Sequence, residues 1–262
     1  MPERDMPWTL DLIHNARPWQ VGAAFRVMLR YRNEEHEVQG LKLWLDPSSD
    51  MGYRLLRNNE LEQPMREGIQ QLLKSGDVFV DLGGNEGWYS LLAAQRVGKA
   101  GRVLSVEPQE RLWPILLRNF ALNGFPQCEL VPVAVGTEKE SEIALAPRVN
   151  TGASSMAVKG GWRRLLRRHQ RVLMRTLDDV VLERGIQRVD VLKVDIEGYE
   201  LNALRSATRL LKERRITNIL MEYHDTELKA LGQDRTQVQA LLTEAGFDLI
   251  SDNGDIYHYR LR

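Results

Sequence analysis

Cysteine occurs once in the 262-residue chain, at Cys128, which excludes an internal disulfide and suits a reducing compartment, the cytoplasm. Cys128 lies in the apolar-leaning run Cys128–Val133 and reads as a small buried hydrophobe rather than a reactive thiol. Long apolar stretches are lacking too. None approaches the ~20 residues that a helix needs to cross a bilayer, so no membrane partner is expected. The opening Met1-Pro2-Glu3-Arg4-Asp5 has no basic-then-apolar leader. Net charge is absent: lysine plus arginine and aspartate plus glutamate number 36 each, so no global field draws the chain to nucleic acid. A motif of interleaved aromatic and basic residues, the other mark of a nucleic-acid binder, is missing as well. Internal repeats and low-complexity linkers are not found. What remains is an ordinary globular composition, long enough for one good core or for one core and an appendage.

The most informative stretch that is present is Val78-Phe79-Val80-Asp81-Leu82-Gly83-Gly84-Asn85-Glu86-Gly87-Trp88-Tyr89-Ser90. An apolar strand ends in an aspartate, turns through glycines and enters a segment with helical spacing of apolar residues. Such a unit lets a ligand approach bare backbone at a helix N-terminus. The dinucleotide fingerprint Gly-x-Gly-x-x-Gly is not met, because Trp88 stands where its last glycine belongs. The spacing Asp-x-Gly-x-Asn-x-Gly is instead similar to the first motif of S-adenosylmethionine-dependent methyltransferases, with Asn85 replacing the usual middle glycine.

From residue 78 onward strands and helices alternate, the pattern of a parallel sheet covered on both faces. Strands are predicted over 78–82, 102–107, 129–135, 189–195 and 217–223. Helices are predicted over 86–97, 110–122, 199–211 and 236–245, with a closing hairpin of 247–251 and 256–259. Residues 1–75 read as an N-terminal extension, with short strands at Phe25–Tyr31 and Leu41–Leu45 around an Asn33–His36 turn and an amphipathic helix over Glu60–Lys74. These residues either cap a pocket or form a homodimer contact. The domain spanning 76–262 carries a lid-like insertion at 137–175, with a strand near Ser141–Ala146, a polar turn and a basic stretch from Trp162 to Arg171.

From Asp77 to Tyr223 the chain resembles the FkbM-type methyltransferase family. The matching pieces are Val80–Ser90, Val106-Glu107-Pro108, Asn119-x-x-Leu122-Asn123-Gly124, Asn150–Ser155, Thr176–Asp179, Leu192–Glu200 and Leu220–Tyr223. Gly84 and Glu86 depart from the pattern, standing where alanine and an apolar residue are more usual. The resemblance implies a Rossmann-like class I methyltransferase fold, an α/β architecture whose mostly parallel seven-stranded sheet ends in an antiparallel hairpin. It also implies methyl transfer from S-adenosylmethionine to a small-molecule acceptor. That acceptor is most often a hydroxyl on a saccharide or secondary metabolite; nitrogen, including that of a peptide, is the alternative. An inactive cofactor-binding scaffold is the non-enzymatic reading.

Open parallel sheets bind ligands beyond the carboxyl ends of their strands, so candidate residues are sought there. Asp81, Gly83, Asn85 and Gly87 are expected around the methionine part of the cofactor. Glu107 is expected on the ribose diol, and Ala134 and Val135 in the adenine slot. Asp195 is the first candidate for the base that takes the acceptor's proton and His224 the second, with Glu197 orienting Asp195 or binding the cofactor ammonium. Lys193, Glu222 and Trp162 are expected on the acceptor side. Asp195, Glu197 and Glu222 offer oxygens of the kind hard cations take, but nearby Lys193 competes and no metal is expected.

Overall fold

The computed structural model describes residues 8–15, 19–29, 31–58, 61–145, 154, 156, 168–254 and 256–262. Helices α1 (Trp8–Asn15) and α2 (Trp19–Met28) pack on one another, and β1 (Glu34–Val38) and β2 (Leu41–Leu45) form an antiparallel hairpin. Among the described residues of Phe25–Tyr31 no strand forms: Phe25 belongs to α2, and the partner of β2 is the segment read as a turn. The reason lies at Gln39-Gly40, whose φ angles of 52° and 77° are the two left-handed positions that a two-residue hairpin turn requires. Helix-forming residues such as Ala23 and Ala24 carry α2 through Phe25.

Next come α3 (Asp50–Asn58), α4 (Gln63–Leu72), β3 (Val78–Leu82), α5 (Trp88–Val97), β4 (Arg102–Val106), α6 (Trp113–Leu122) and β5 (Cys128–Val131). The expected strand 129–135 is split. Pro132 cannot donate to a ladder, so β5 stops before it, and β6 (Ala134–Val135) joins a separate three-stranded sheet with β7 (Glu140–Leu145) and β8 (Arg168–Arg175). The end of the basic stretch, residues 168–171, is therefore strand. Val172 and Met174 point into a small core with Ile143 while Leu173 is exposed, the alternation of a half-buried strand. Residues 162–167, Trp162 among them, lie outside the described residues.

The chain continues with α7 (Leu177–Leu182), β9 (Val189–Val194), α8 (Glu200–Arg205), α9 (Thr208–Lys212), β10 (Ile216–Glu222), α10 (Asp225–Ala230), α11 (Arg235–Glu244), β11 (Phe247–Asp252) and β12 (Ile256–Leu261). The single helix expected over 199–211 is two. Ser206 interrupts it, its hydroxyl donating to Ala203 O (2.6 Å) and accepting from Leu177 N (2.9 Å).

The main sheet has the order β11-β12-β10-β9-β3-β4-β5; all neighbours from β10 to β5 are parallel, and β12 runs antiparallel to both β10 and β11. Successive residues serve opposite faces. Val80, Leu82, Leu192 and Val194 meet α7, α8 and α11 on one side, while Phe79, Val103 and Val191 join α4, α5 and the N-terminal hairpin on the other. The early elements are thus packed into the sheet's own core. Asn119 on α6 and Asn123 just past its end grip β2. Asn123 exchanges hydrogen bonds with Lys42 N and O, while Asn119 accepts from Trp44 N (2.6 Å) and donates to Glu86 O (2.7 Å). Strand order reverses direction beside β3, because the chain moves from β3 to β4 and β5 on one side and to β9 and β10 on the other. The crevice at this switch point lies between the carboxyl ends of β3 and β9.

Candidate active site

At that crevice β3 runs into its glycine turn. Gly83 has φ of +84°, and a Cβ there would stand 2.0 Å from Asp195 O, so only glycine lets the ends of β3 and β9 come this close. A Cβ on Gly84 would meet Ser105 Oγ at 2.0 Å. Above the turn opens a cleft whose empty volume, counted out to the mouth, is about 1350 Å³. Gly83 and Asn85 form its floor, Glu107 and Gln109 the rim beyond β4, and Ala134 and Val135 an apolar side. Asp195, Glu197, Glu222 and His224 form the opposite wall. Asp50, Met51, Arg54, Leu61 and Glu62, all from the N-terminal region, close the cleft.

Three expected site residues do not line the cleft. Asp81 is fully buried beneath the turn, accepting from Ser90 Oγ (2.7 Å) and pairing with Lys193 Nζ (3.1 Å). Lys193 is equally buried. Its Nζ sits 3.1 Å from both Asp81 and Asp195 and donates to Leu82 O and Gly83 O (3.3 Å each), so no hydrogen of its ammonium is left for an acceptor molecule. Burial alone would lower its pKa, but the Asp195 and Asp81 carboxylates outweigh that and raise it. Lys193 is therefore a permanent internal cation that fastens the ends of β3 and β9 together. Gly87, at φ +95°, shapes the entry to α5 behind the cleft.

Glu107 does reach the cleft, and it is almost wholly buried. Its carboxylate accepts from Asn85 N (2.9 Å) and Gln109 N (2.8 Å), while desolvation pushes its pKa up to about 7 against these hydrogen bonds. The acidic wall shows a similar effect. Glu197, at a left-handed φ of 54°, is pushed up to about 8 and Glu222 to about 7, by burial first and by neighbouring carboxylates after it, with His224 opposing. Glu62, bonded to Tyr89 Oη at 2.6 Å, is raised for the same reasons.

His224 departs from the sequence reading. Burial would lower its pKa, but the Nδ1 hydrogen bond to the fully buried Glu200 (2.9 Å) and the Asp195 and Glu197 carboxylates raise it to about 10. An imidazole that keeps its proton at neutral pH is a donor and not a base. Its Nε2 faces Asp195 and Glu197 at 3.7 Å and Glu222 at 3.9 Å. Among the described residues one trio, Asp195, Glu222 and His224, gathers donor atoms within 4.8 Å of one another.

Sequence reasoning missed Glu62, Arg54, Gln109, Ser154 and Glu200. Ser154 sits in the quoted run 150–155, which is the one signal that pointed toward it; the others gave none, because they meet the site only through the fold.

The cleft suits a sulfonium nucleoside. It offers close glycine backbone, a buried carboxylate that accepts from two backbone N–H groups, an apolar side and an acidic wall. Lying at the switch point of a sheet that ends in an antiparallel hairpin, it makes the protein a Rossmann-like, S-adenosylmethionine-dependent methyltransferase. The family model described as the methyltransferase FkbM domain matches residues 81–249, and the chain belongs to that family. Methyltransferase sdnD of Sordaria araneosa is 28% identical over 209 residues, 70% of this chain and 78% of that protein. AMB antimetabolite synthetase AmbE of Pseudomonas aeruginosa is also 28% identical, over 79% of this chain but only 12% of its own length. A crystal structure of methyltransferase FkbM from Methylobacillus flagellatus aligns over 96% of this chain and 58% of that one, at 19% identity and a TM-score of 0.45.

Proposed function

We propose that this methyltransferase modifies a hydroxyl on a small natural product or saccharide. The observation that carries the reading is Asp195, which stands where the cleft floor meets the acidic wall with Lys193 on one oxygen and His224 beside the other. S-Adenosylmethionine supplies a methyl group on positively charged sulfur, already activated for displacement. The chain then has three tasks. It must hold the cofactor, align the acceptor and accept a proton from an alcohol too weakly acidic to ionise beforehand.

Glu107 would accept from the ribose hydroxyls, the turn 83–85 would seat the methionine part, and Ala134 and Val135 would flank adenine. Asp195 takes the acceptor's proton as attack proceeds. Lys193 holds it against the turn, and Glu200 fixes the imidazolium of His224 so that Nε2 faces the reacting end. Glu62, Arg54 and Leu61 close the acceptor end and help exclude water. A second reading, methylation of an amine, is favoured by one feature: Glu62, Glu197 and Glu222 gather on the acceptor wall, where burial raises their affinity for the proton an amine gives up. The lone cysteine fits action in the cytoplasm.

The test is a screen of hydroxylated and amino acceptors with labelled cofactor, reading product mass and the position of the new methyl resonance. Asp195→Asn should reduce turnover by roughly 10²–10⁴-fold while S-adenosylhomocysteine affinity stays within about threefold. Full turnover in Asp195→Asn would remove Asp195 as the base.

A further inference from the structure

Gln109 is buried in the cleft wall two residues beyond Glu107, and the reaction itself assigns it nothing. Its Oε1 accepts from Arg111 Nε (3.1 Å), Arg111 Nη2 (2.7 Å) and Ser154 Oγ (2.9 Å). A guanidinium carries donors alone, so the amide cannot be turned end for end: its oxygen must face Arg111, and its NH₂ must face the other way. The backbone N–H of Gln109 donates to the Glu107 carboxylate at 2.8 Å. Arg111 Nη2 reaches Ser154 Oγ as well, at 3.1 Å. Ser154 belongs to the insertion, and a second residue from it, Gln170 on β8, donates from Nε2 to Pro108 O (2.8 Å). The insertion therefore grips the loop that carries Glu107 at two points on the cofactor side of the cleft.

We propose that Gln109 is a positioning residue that holds the Glu107 carboxylate in register for the ribose diol through its backbone N–H, with Arg111 and the insertion's Ser154 anchoring its side chain and so the loop that carries that N–H. The inference rests on the assignment of Glu107 to the ribose. A carboxylate with its oxygens already directed by Asn85 N–H and Gln109 loses little orientational freedom when a diol docks. The same donors offset the burial that resists its ionisation. The charged groups facing it are Asp81 from β3 and, through Gln109, Arg111 from the loop after β4.

The experiment is calorimetric titration with S-adenosylhomocysteine, and with its 2′,3′-dideoxy analogue, between pH 6 and 9. The proteins are wild type, Gln109→Ala, Ser154→Ala and Glu107→Gln. Gln109→Ala, which releases the loop from Arg111 and Ser154, should bind S-adenosylhomocysteine ~10-fold more weakly at pH 7, the size of one charge-assisted hydrogen bond left misaligned. The pH at which affinity falls on acidification should move upward. Ser154→Ala should shift both in the same direction by less, and the dideoxy analogue should not distinguish wild type from either variant. A loss equal at every pH and retained with the analogue would mark a merely structural residue and overturn the proposal, as would unchanged binding. If Gln109→Ala fails to fold by circular dichroism, Ser154→Ala decides on the same criteria. Weakened binding in Glu107→Gln with none in Gln109→Ala or Ser154→Ala removes this inference alone. Wild-type affinity in Glu107→Gln removes the ribose assignment and the inference together.

Discussion

Gly83 shows how a single residue constrains the site. Its φ of +84° and its 2.0 Å clearance to Asp195 O leave no room for a side chain, and the obstructing atom is backbone that cannot swing away. Gly83→Ala should cost about 2–4 kcal/mol in urea unfolding, or push β3 and β9 apart with loss of cofactor binding. Glu107 gives a prediction in pH. Because burial raises it to about 7 and the ribose diol needs its charged form, S-adenosylhomocysteine affinity should climb as pH rises toward 7 and flatten beyond about 8. Glu197 and Glu222 titrate nearby, so the Glu107→Gln protein, measured in parallel, isolates the Glu107 arm. A pH profile identical in wild type and Glu107→Gln would refute the assignment.

Elements bring distant residues into one wall, and α6 is the clearest case. Through Asn119 it joins the β2 backbone to the carbonyl of Glu86 in the glycine turn, with the side chain fully buried. Asn119→Ala would strand the buried Glu86 carbonyl and the half-buried Trp44 N–H. It should lower stability by about 2–4 kcal/mol in thermal or urea unfolding, with the greater loss of amide protection in β2 and the turn. The strands of the main sheet were readable because burial on both faces writes short, mostly apolar runs, as in Val78–Leu82 and Val189–Val194. In the insertion and the N-terminal region β2, β7 and α4 were readable as well, but β1, β8 and, as a separate strand, β6 were not. Those strands are polar or short, and β6 pairs with a strand more than thirty residues away, β8.

Across the whole molecule the site is held in an electrostatically unrelaxed state. Glu107, Glu197, Glu222 and His224 all take up protons more readily folded than unfolded. Each therefore contributes stability that is complete below its unfolded pKa and is lost as pH rises through its folded value. The carboxylates act between about 4.5 and 8, and His224 between 6.5 and about 10. The surface acids Asp225, Asp234 and Glu213 are depressed, so their stabilisation is present above their ordinary range and lost in strong acid. The melting temperature should consequently be highest near pH 5–6 and fall steadily to pH 9. A melting temperature that rises across that span would contradict the assigned burial of the acidic wall.

What the sequence by itself determined is local and periodic. An aspartate and glycines at fixed spacing after an apolar strand specify a ligand-binding turn, and alternating strands and helices specify a parallel sheet with its crevice at the strand ends. Those are properties of neighbours in the chain. Tertiary structure decided the rest: that Asp81 and Lys193 neutralise one another beneath the cleft, that Glu200 and the wall keep the proton on His224, and that Gln109 and Ser154 brace Glu107. Charge state and orientation depend on distance and desolvation between residues remote in sequence, and only the packed molecule sets those.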